Sequence, residues 1–317
     1  LIFIGLFVAS DHPLLPGDIP QFMDNPKYTW MLILLVYCFF ASIAPVWLML
    51  QPRDYLSSYL LFACLVIGGL GMLIGSANGS IVSEYPWYLG FYHENSGHLF
   101  PVLFITVACG ACSGFHSIVA SGTTAKQLSG EQDARPIAYG GMLVEAALAL
   151  VAMATGMSVT SVPKGQSPVV TFSLGIGNFL GTFGISPAAG ATFGLLSVST
   201  FLLTTLDTCT RLTRYIIEEF LNLRDTPRWR YLTTLTALSP LFYLAFQTYP
   251  GADGNPVPAW RMIWPVFGTT NQLLAAMALL VVVVWRRSLG RKVWYIALPM
   301  LFMLVTTITS MIQLIMK

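Results

Sequence analysis

Two carboxylates stand inside long apolar runs of this 317-residue chain, Glu145 near the middle of one and Asp207 toward the end of another. A charge in hydrocarbon costs at least about 2.5 to 3.5 kcal/mol on insertion scales, so an acid placed there faces a partner or a water-filled cavity. Glu145 reads either as a protonatable carboxylate coupling proton entry to the movement of another solute, or as a neutral, hydrogen-bonded structural acid. Asp207 precedes Arg211 by one helical turn, and an ion pair between the two at the membrane boundary accounts for it with no transport role.

The run from Phe100 to Ser121 contains Ala-Cys-Gly-Ala-Cys-Ser-Gly-Phe-His and leads into Ser-Gly-Thr-Thr-Ala-Lys-Gln. Gly110 and Gly114 form a small-xxx-small pair that lets helices approach closely, while Ser113, Thr123 and Thr124 raise the polar density enough to invite local unwinding. Transporters use such freed backbone groups as ligands for substrate or ions, and tight helix packing is the other reading. His116 is a proton-relay member or a hydrogen-bonded packing residue. Cys109, Cys112 and His116 share one helix face at spacings that resemble metal ligands, but no fourth ligand is evident and no metal is expected. Asn271 and Gln272 follow Trp264-Pro265-Val-Phe-Gly-Thr-Thr, and two amides in a bilayer need partners on other helices or in a polar cavity. Phosphate loops, dinucleotide fingerprints and nucleophile-base pairs are absent from the sequence, so neither enzyme chemistry nor a cofactor is indicated.

The elements that must position these residues are membrane helices. Charged residues make up 9% of the chain and hydrophobic ones 55%, with a mean hydropathy of +0.69, whereas soluble domains carry about 25% charged residues. A net charge of +2 is too small to suggest a nucleic-acid partner. The five cysteines all fall in apolar runs and read as small buried hydrophobes. Segments of spanning length occur at Tyr28 to Leu50, Tyr55 to Ser76, Phe100 to Ser121, Ile137 to Met157, Pro187 to Cys209, Tyr231 to Thr248, Ile263 to Trp285 and Val293 to Met316. The expectation is an all-α, polytopic transmembrane bundle of about eight full spans in a single domain over residues 1–317, preceded at 1–9 by the tail of a truncated helix. Val169 to Gly184 is Gly-rich and too interrupted for a confident span, leaving an interfacial, re-entrant or short helix.

Alternating the loops across the bilayer collects twelve of the sixteen basic residues on one side, leaving Lys27, Lys164, Arg261 and Lys317 opposite. The positive-inside rule makes the first side cytoplasmic. The loop with Asp11, Asp18 and Asp24 and the aromatic stretch from Glu84 through Tyr88 then face outward. Gln51 to Asp54 is expected to be a tight cytoplasmic connection, Ser186-Pro187 an N-cap with Pro at the first helical position, and residues 210–230 a charged cytoplasmic helical extension and loop.

Three stretches resemble carbon starvation protein A: Phe100 through Gln127, the Thr-Leu-Asp-Thr-Cys-Thr-Arg-Leu-Thr-Arg-Tyr run from Thr205, and Trp-Pro-Val-Phe-Gly-Thr-Thr-Asn-Gln-Leu-Leu-Ala-Ala from Trp264. That resemblance implies a multi-pass bacterial inner-membrane transporter of peptides or pyruvate, serving in carbon starvation, with the proton as coupling ion. It also implies that the chain is the C-terminal half of a longer protein, contributing part of an inverted-repeat fold, with the absent half and the lipid bilayer as partners. A membrane nutrient sensor without net transport is the alternative class.

Overall fold

The computed structural model describes residues 26–316 apart from 84, 87, 89, 94–96, 160–166, 225 and 251–255. The apolar run 1–9, the loop with Asp11, Asp18 and Asp24, and Glu84, Trp87, Lys164 and Lys317 lie outside the described residues. In chain order the longer elements are α1 (Pro26–Ile43), α2 (Val46–Ala77), α3 (Leu99–Ala111), α4 (Gly114–Val119), α5 (Gly141–Ser158), α6 (Pro168–Gly181), α7 (Pro187–Phe220), α8 (Pro227–Phe246), α9 (Ala259–Ser288) and α10 (Trp294–Ile315). Sheet is confined to two antiparallel hairpins among the described residues, β1 (Tyr92–His93) with β2 (Gly97–His98) and β3 (Thr248–Pro250) with β4 (Pro256–Pro258). Two compact units result, Leu1–Tyr85 with Ala147–Phe246 and Pro86–Ala146 with Gln247–Lys317.

In the first unit the turn between α1 and α2 falls at Ala44-Pro45, because a residue before proline is pushed out of the helical region. Pro45 is extended, with φ −57° and ψ 145°, and the next helix starts at Val46. The expected connection at Gln51 to Asp54 is therefore corrected: those residues lie inside α2, which runs through Pro52 without ending. That shift carries Arg53 about two turns into the helix.

The Gly-rich stretch forms α6, a 14-residue helix capped by the Ser167 hydroxyl, which accepts from Val169 N at 3.3 Å. At about 1.5 Å per residue it reaches about 21 Å, short of a hydrocarbon core about 30 Å thick. It lies along α7 at backbone contact distance: a Cβ on Gly190 would sit 2.8 Å from Gly177 Cα. Ile176, Phe179 and Leu180 of α6 and Val151 of α5 form the buried core, with Leu65, Ile67 and Met72 of α2 against it. Ser186 caps α7 through Ala189 N, with Pro187 at the first position, as the sequence indicates.

In the second unit α9 and α10 pack side by side. Thr269 and Ser310 share a hydrogen bond of 3.0 Å, and Phe104 of α3 meets Phe302 of α10 edge to face at 5.1 Å. Residues 120–124 and 136–140 are single π-helical turns, a form that recurs at functional sites.

Five helical stretches among the described residues are long and apolar enough to cross a membrane: Val46–Ala77, Glu131–Ser158, Pro187–Phe220, Ala259–Ser288 and Trp294–Ile315. The sequence count of about eight is higher for identifiable reasons. The Phe100 to Ser121 run is split into short pieces, the apolar part of α1 is short, and α8 carries Arg228 and Arg230 in its first turn.

Candidate functional site

The helix that begins at Leu99 stops at Ala111 and restarts at Gly114, leaving Cys112 and Ser113 outside it. Ser113 is extended, with φ −107° and ψ 130°, and its hydroxyl accepts from His116 N at 3.5 Å as the N-cap of α4. Restarting a helix frees the N–H groups of its first turn, and in a bilayer each needs a partner. Phe115 N finds one on another helix: it donates to Asn271 Oδ1 of α9 at 2.7 Å. Asn271 Nδ2 in turn donates to Ser113 Oγ at 3.3 Å. One carboxamide therefore serves both the hydroxyl and the backbone of the break, using its donor and its acceptor at once.

The fit needs Gly114. A Cβ there would collide with the Asn271 carbonyl and lie 2.6 Å from Leu274 Cβ and 2.9 Å from Ala275 N. Gln272, fully buried, donates through Nε2 to the Ile105 carbonyl of α3 at 3.4 Å, so consecutive amides of α9 hold both sides of the interruption.

Ser113, Gly114, Asn271 and Gln272 are thus brought together, as residues that the sequence singles out separately. Gly110 lies in the last turn of α3. His116 is on the first turn of α4 with its side chain exposed, its ring 5.7 Å from that of Phe115. Thr123 and Thr124 fall in the π-helical turn, where Thr123 Oγ1 donates to the Val119 carbonyl at 2.9 Å. Glu145 is half-buried in the first turns of α5. Among the described residues no three of His, Cys, Asp and Glu gather as a metal ion would require.

A second polar cluster occupies the first unit. Asp207 of α7 is 1% exposed, and its carboxylate forms an ion pair with Arg53 Nη1 of α2. Tyr37 of α1 donates to Asp207 Oδ2 at 2.9 Å and accepts from Arg53 Nη1 at 2.8 Å, while Cys38 Sγ lies 3.8 Å from Oδ1. The Asp207–Arg211 ion pair expected from sequence is accordingly corrected. Arg211 turns the other way and donates through Nη2 to the carbonyls of Ala41 and Ala44, at 2.7 Å for Ala44. The last carbonyls of α1 have no intrahelical partner, so a cation at that end satisfies them and complements the helix dipole. Further along α7, Arg214 pairs with Glu218 at 3.4 Å, and Thr233 of α8 donates to the same carboxylate at 2.9 Å.

The part of this cluster that sequence reasoning missed is Arg53 with Tyr37. The signal was the Ala44-Pro45 dipeptide: a helix starting just after it puts Arg53 inside the unit, where an acid in an apolar run can find it.

Comparison with known proteins adds a family and its named members. Residues 16–167 and 156–310 match the family described as Carbon starvation protein CstA. The peptide transporter CstA of Escherichia coli K12 is 31% identical over 98% of this chain and 52% of its own length. The peptide transporter CstA of Helicobacter pylori J99 is 31% identical, with the same two coverages. The pyruvate/proton symporter BtsT of Escherichia coli K12 is 28% identical over 96% of this chain and 53% of its own. The chain spans about half the length of the curated relatives it matches. No solved protein structure matches it.

Proposed function

Because this chain belongs to the carbon starvation protein CstA family, we propose that it works in a secondary active transporter that takes up peptides or pyruvate with protons across a bacterial inner membrane during carbon starvation. The relatives' names support the substrate classes and the coupling ion. Within the chain, the observation that carries the reading is the interrupted α3–α4 helix held against Asn271.

A substrate with a carboxylate and amides competes for the same donors and acceptors that the break now satisfies internally, so binding can exchange one set of hydrogen bonds for another at little net cost. Ser113, Gly114, Asn271 and Gln272 form the centre of this pathway, and Gly110, His116, Thr123 and Thr124 continue it along the same helix. The helices contribute to an inverted-repeat bundle of the kind in which discontinuous helices meet the solute. A carboxylate within the helices carries the coupled proton, and Glu145 and Asp207 are the candidates for it. The reading is one of transport, with no chemical change to the solute and no cofactor.

Uptake of labelled pyruvate and dipeptides into proteoliposomes holding the full-length gene product tests it. With one proton per solute, a one-unit pH gradient, acid outside, is expected to drive about tenfold accumulation of one of them. Saturable binding without accumulation would instead mark a sensor, and chemical conversion of the solute an enzyme; either result contradicts the proposal.

A further inference from the structure

Asp207 and Glu145 differ in what protonation would change. Glu145 is half-buried on α5, and among the described residues no hydrogen bond or ion pair holds its carboxylate. Asp207 is enclosed completely, its side chain 0% exposed, and its charge is met by a guanidinium from another helix. That guanidinium is already divided between two acids. Arg53 Nη1 reaches Asp207, and Nη2 reaches Asp54 Oδ1 at 3.2 Å, where the Asp54 side chain is 43% exposed.

We infer that Asp207 is the group that binds the coupled proton, and that Arg53 is the counter-ion which this proton displaces toward Asp54. The inference rests on the symport reading above and assigns its proton to one residue. With Asp207 ionised, Arg53, Asp207 and Asp54 sum to one negative charge; with Asp207 protonated they sum to zero, and no buried charge is left unpaired. Arg53 keeps a full carboxylate partner in the partly exposed Asp54, so releasing Asp207 does not strand it. What is lost is the ion pair joining α2 to α7, and a contact made or broken by one proton is what a coupled conformational change requires. The half-buried Tyr37 hydroxyl, which donates to Asp207 Oδ2, supplies the route: as it passes its own proton to the carboxylate it takes one from a hydronium ion, so the phenol stays neutral and one proton is gained.

The other groups around Asp207 do not compete for this role. From α1, Cys38 offers only a long thiol contact to Oδ1. On α7 itself, Arg211 is held by the Ala41 and Ala44 carbonyls. From α8, Arg230 acts on Arg214, further along α7. Helix α6, which also packs on α7, contains no ionisable residue.

The test uses the full-length gene product in proteoliposomes and reads two properties of wild type and Asp207→Asn. In infrared difference spectra between neutral and acidic pH, the substitution is expected to remove part of the carboxylic-acid carbonyl band. In uptake, it is expected to reduce accumulation under a one-unit pH gradient from about tenfold to none, while exchange of labelled for unlabelled solute continues. If Asp207→Asn does not reach the membrane, the Arg53→Gln, Asp207→Asn double variant, which keeps polar partners without an unpaired charge, is judged by the same criteria. A band unchanged by the substitution overturns the assignment. So does wild-type accumulation by the variant, or loss of accumulation in Glu145→Gln with Asp207→Asn still coupled. If wild type accumulates neither pyruvate nor dipeptide, the symport reading fails, and the infrared band alone decides whether Asp207 takes up a proton.

Discussion

Arg53→Leu is expected to destabilise the protein by about 3 to 5 kcal/mol, because it removes one partner of a buried ion pair and leaves the other without its counter-charge. Sequence numbering alone would suggest a much smaller effect, since an arginine near the end of a predicted span reads as a surface charge, and surface pairs contribute about 0 to 1 kcal/mol. Burial decides between the two. The Asp207 side chain is 0% exposed and that of Arg53 is 16% exposed, so water cannot replace the lost guanidinium. Tyr37 would lose its donor as well, though it would still donate to Asp207. Thermal unfolding of the purified protein in detergent measures the loss. The Arg53→Leu, Asp207→Leu double variant is expected to recover most of it, since replacing both partners of a buried pair by apolar groups is often neutral or stabilising. A double variant no better than the single one would show that the damage comes from packing and not from the orphaned carboxylate.

Gly114→Ala is expected to cost about 3 kcal/mol and to abolish transport, the upper end of what one added methyl does in a well-packed interior. The added carbon would meet the Asn271 carbonyl and lie 2.9 Å from Ala275 N, both main-chain atoms of α9 that no rotamer change can move. Relief requires α4 to retreat from α9. The hydrogen bond from Phe115 N to Asn271 Oδ1 then breaks, and leaving that donor unsatisfied accounts for about 1 to 3 kcal/mol of the loss. Gly268→Ala, on the same α9, is the matched comparison. Its new methyl would lie 3.4 Å from the Ile105 Cγ2 side-chain atom. A glycine inside a helix is less favourable than alanine by up to about 1 kcal/mol, so this variant is expected to be neutral or slightly stabilised. Equal melting shifts for the two variants would contradict the close approach of α4 to α9.

Much of this organisation is legible in the sequence because it has local causes. Composition and run length identify membrane helices, and the Cys-Ser-Gly stretch after Ala111 marks the interruption through its polar and small residues. Ser186-Pro187 marks the start of α7 for reasons confined to its own first turn. The need of Asn271 and Gln272 for partners is also evident from their types. Which partners they take is not, because Ser113 and Asn271 are 158 residues apart and only the folded chain brings them together.

The misreadings have the same origin. Helical spacing places Arg211 beside Asp207, and spacing cannot reveal that Arg53, 154 residues away, lies closer in space. The Gln51 to Asp54 stretch looks like a loop because it is polar and contains proline. Yet a helix already under way can run through one proline, and Ala44-Pro45 had ended the previous helix. Arg53 thereby became a buried partner. A single misplaced turn concealed the cluster to which the proton is assigned above.

Cys112 lies in the break itself, half-buried beside the capping Ser113, and its thiol is a native reporter for whether solute passes there. The decisive measurement is the rate of Cys112 alkylation by a small maleimide, in full-length protein with its other cysteines replaced, at saturating pyruvate or dipeptide and without solute. Transport through the α3–α4 interruption is expected to slow labelling about tenfold or more at saturating solute, because a bound molecule occupies the site nearly all of the time. Labelling that proceeds at the same rate with and without a solute the protein demonstrably transports would place the pathway elsewhere.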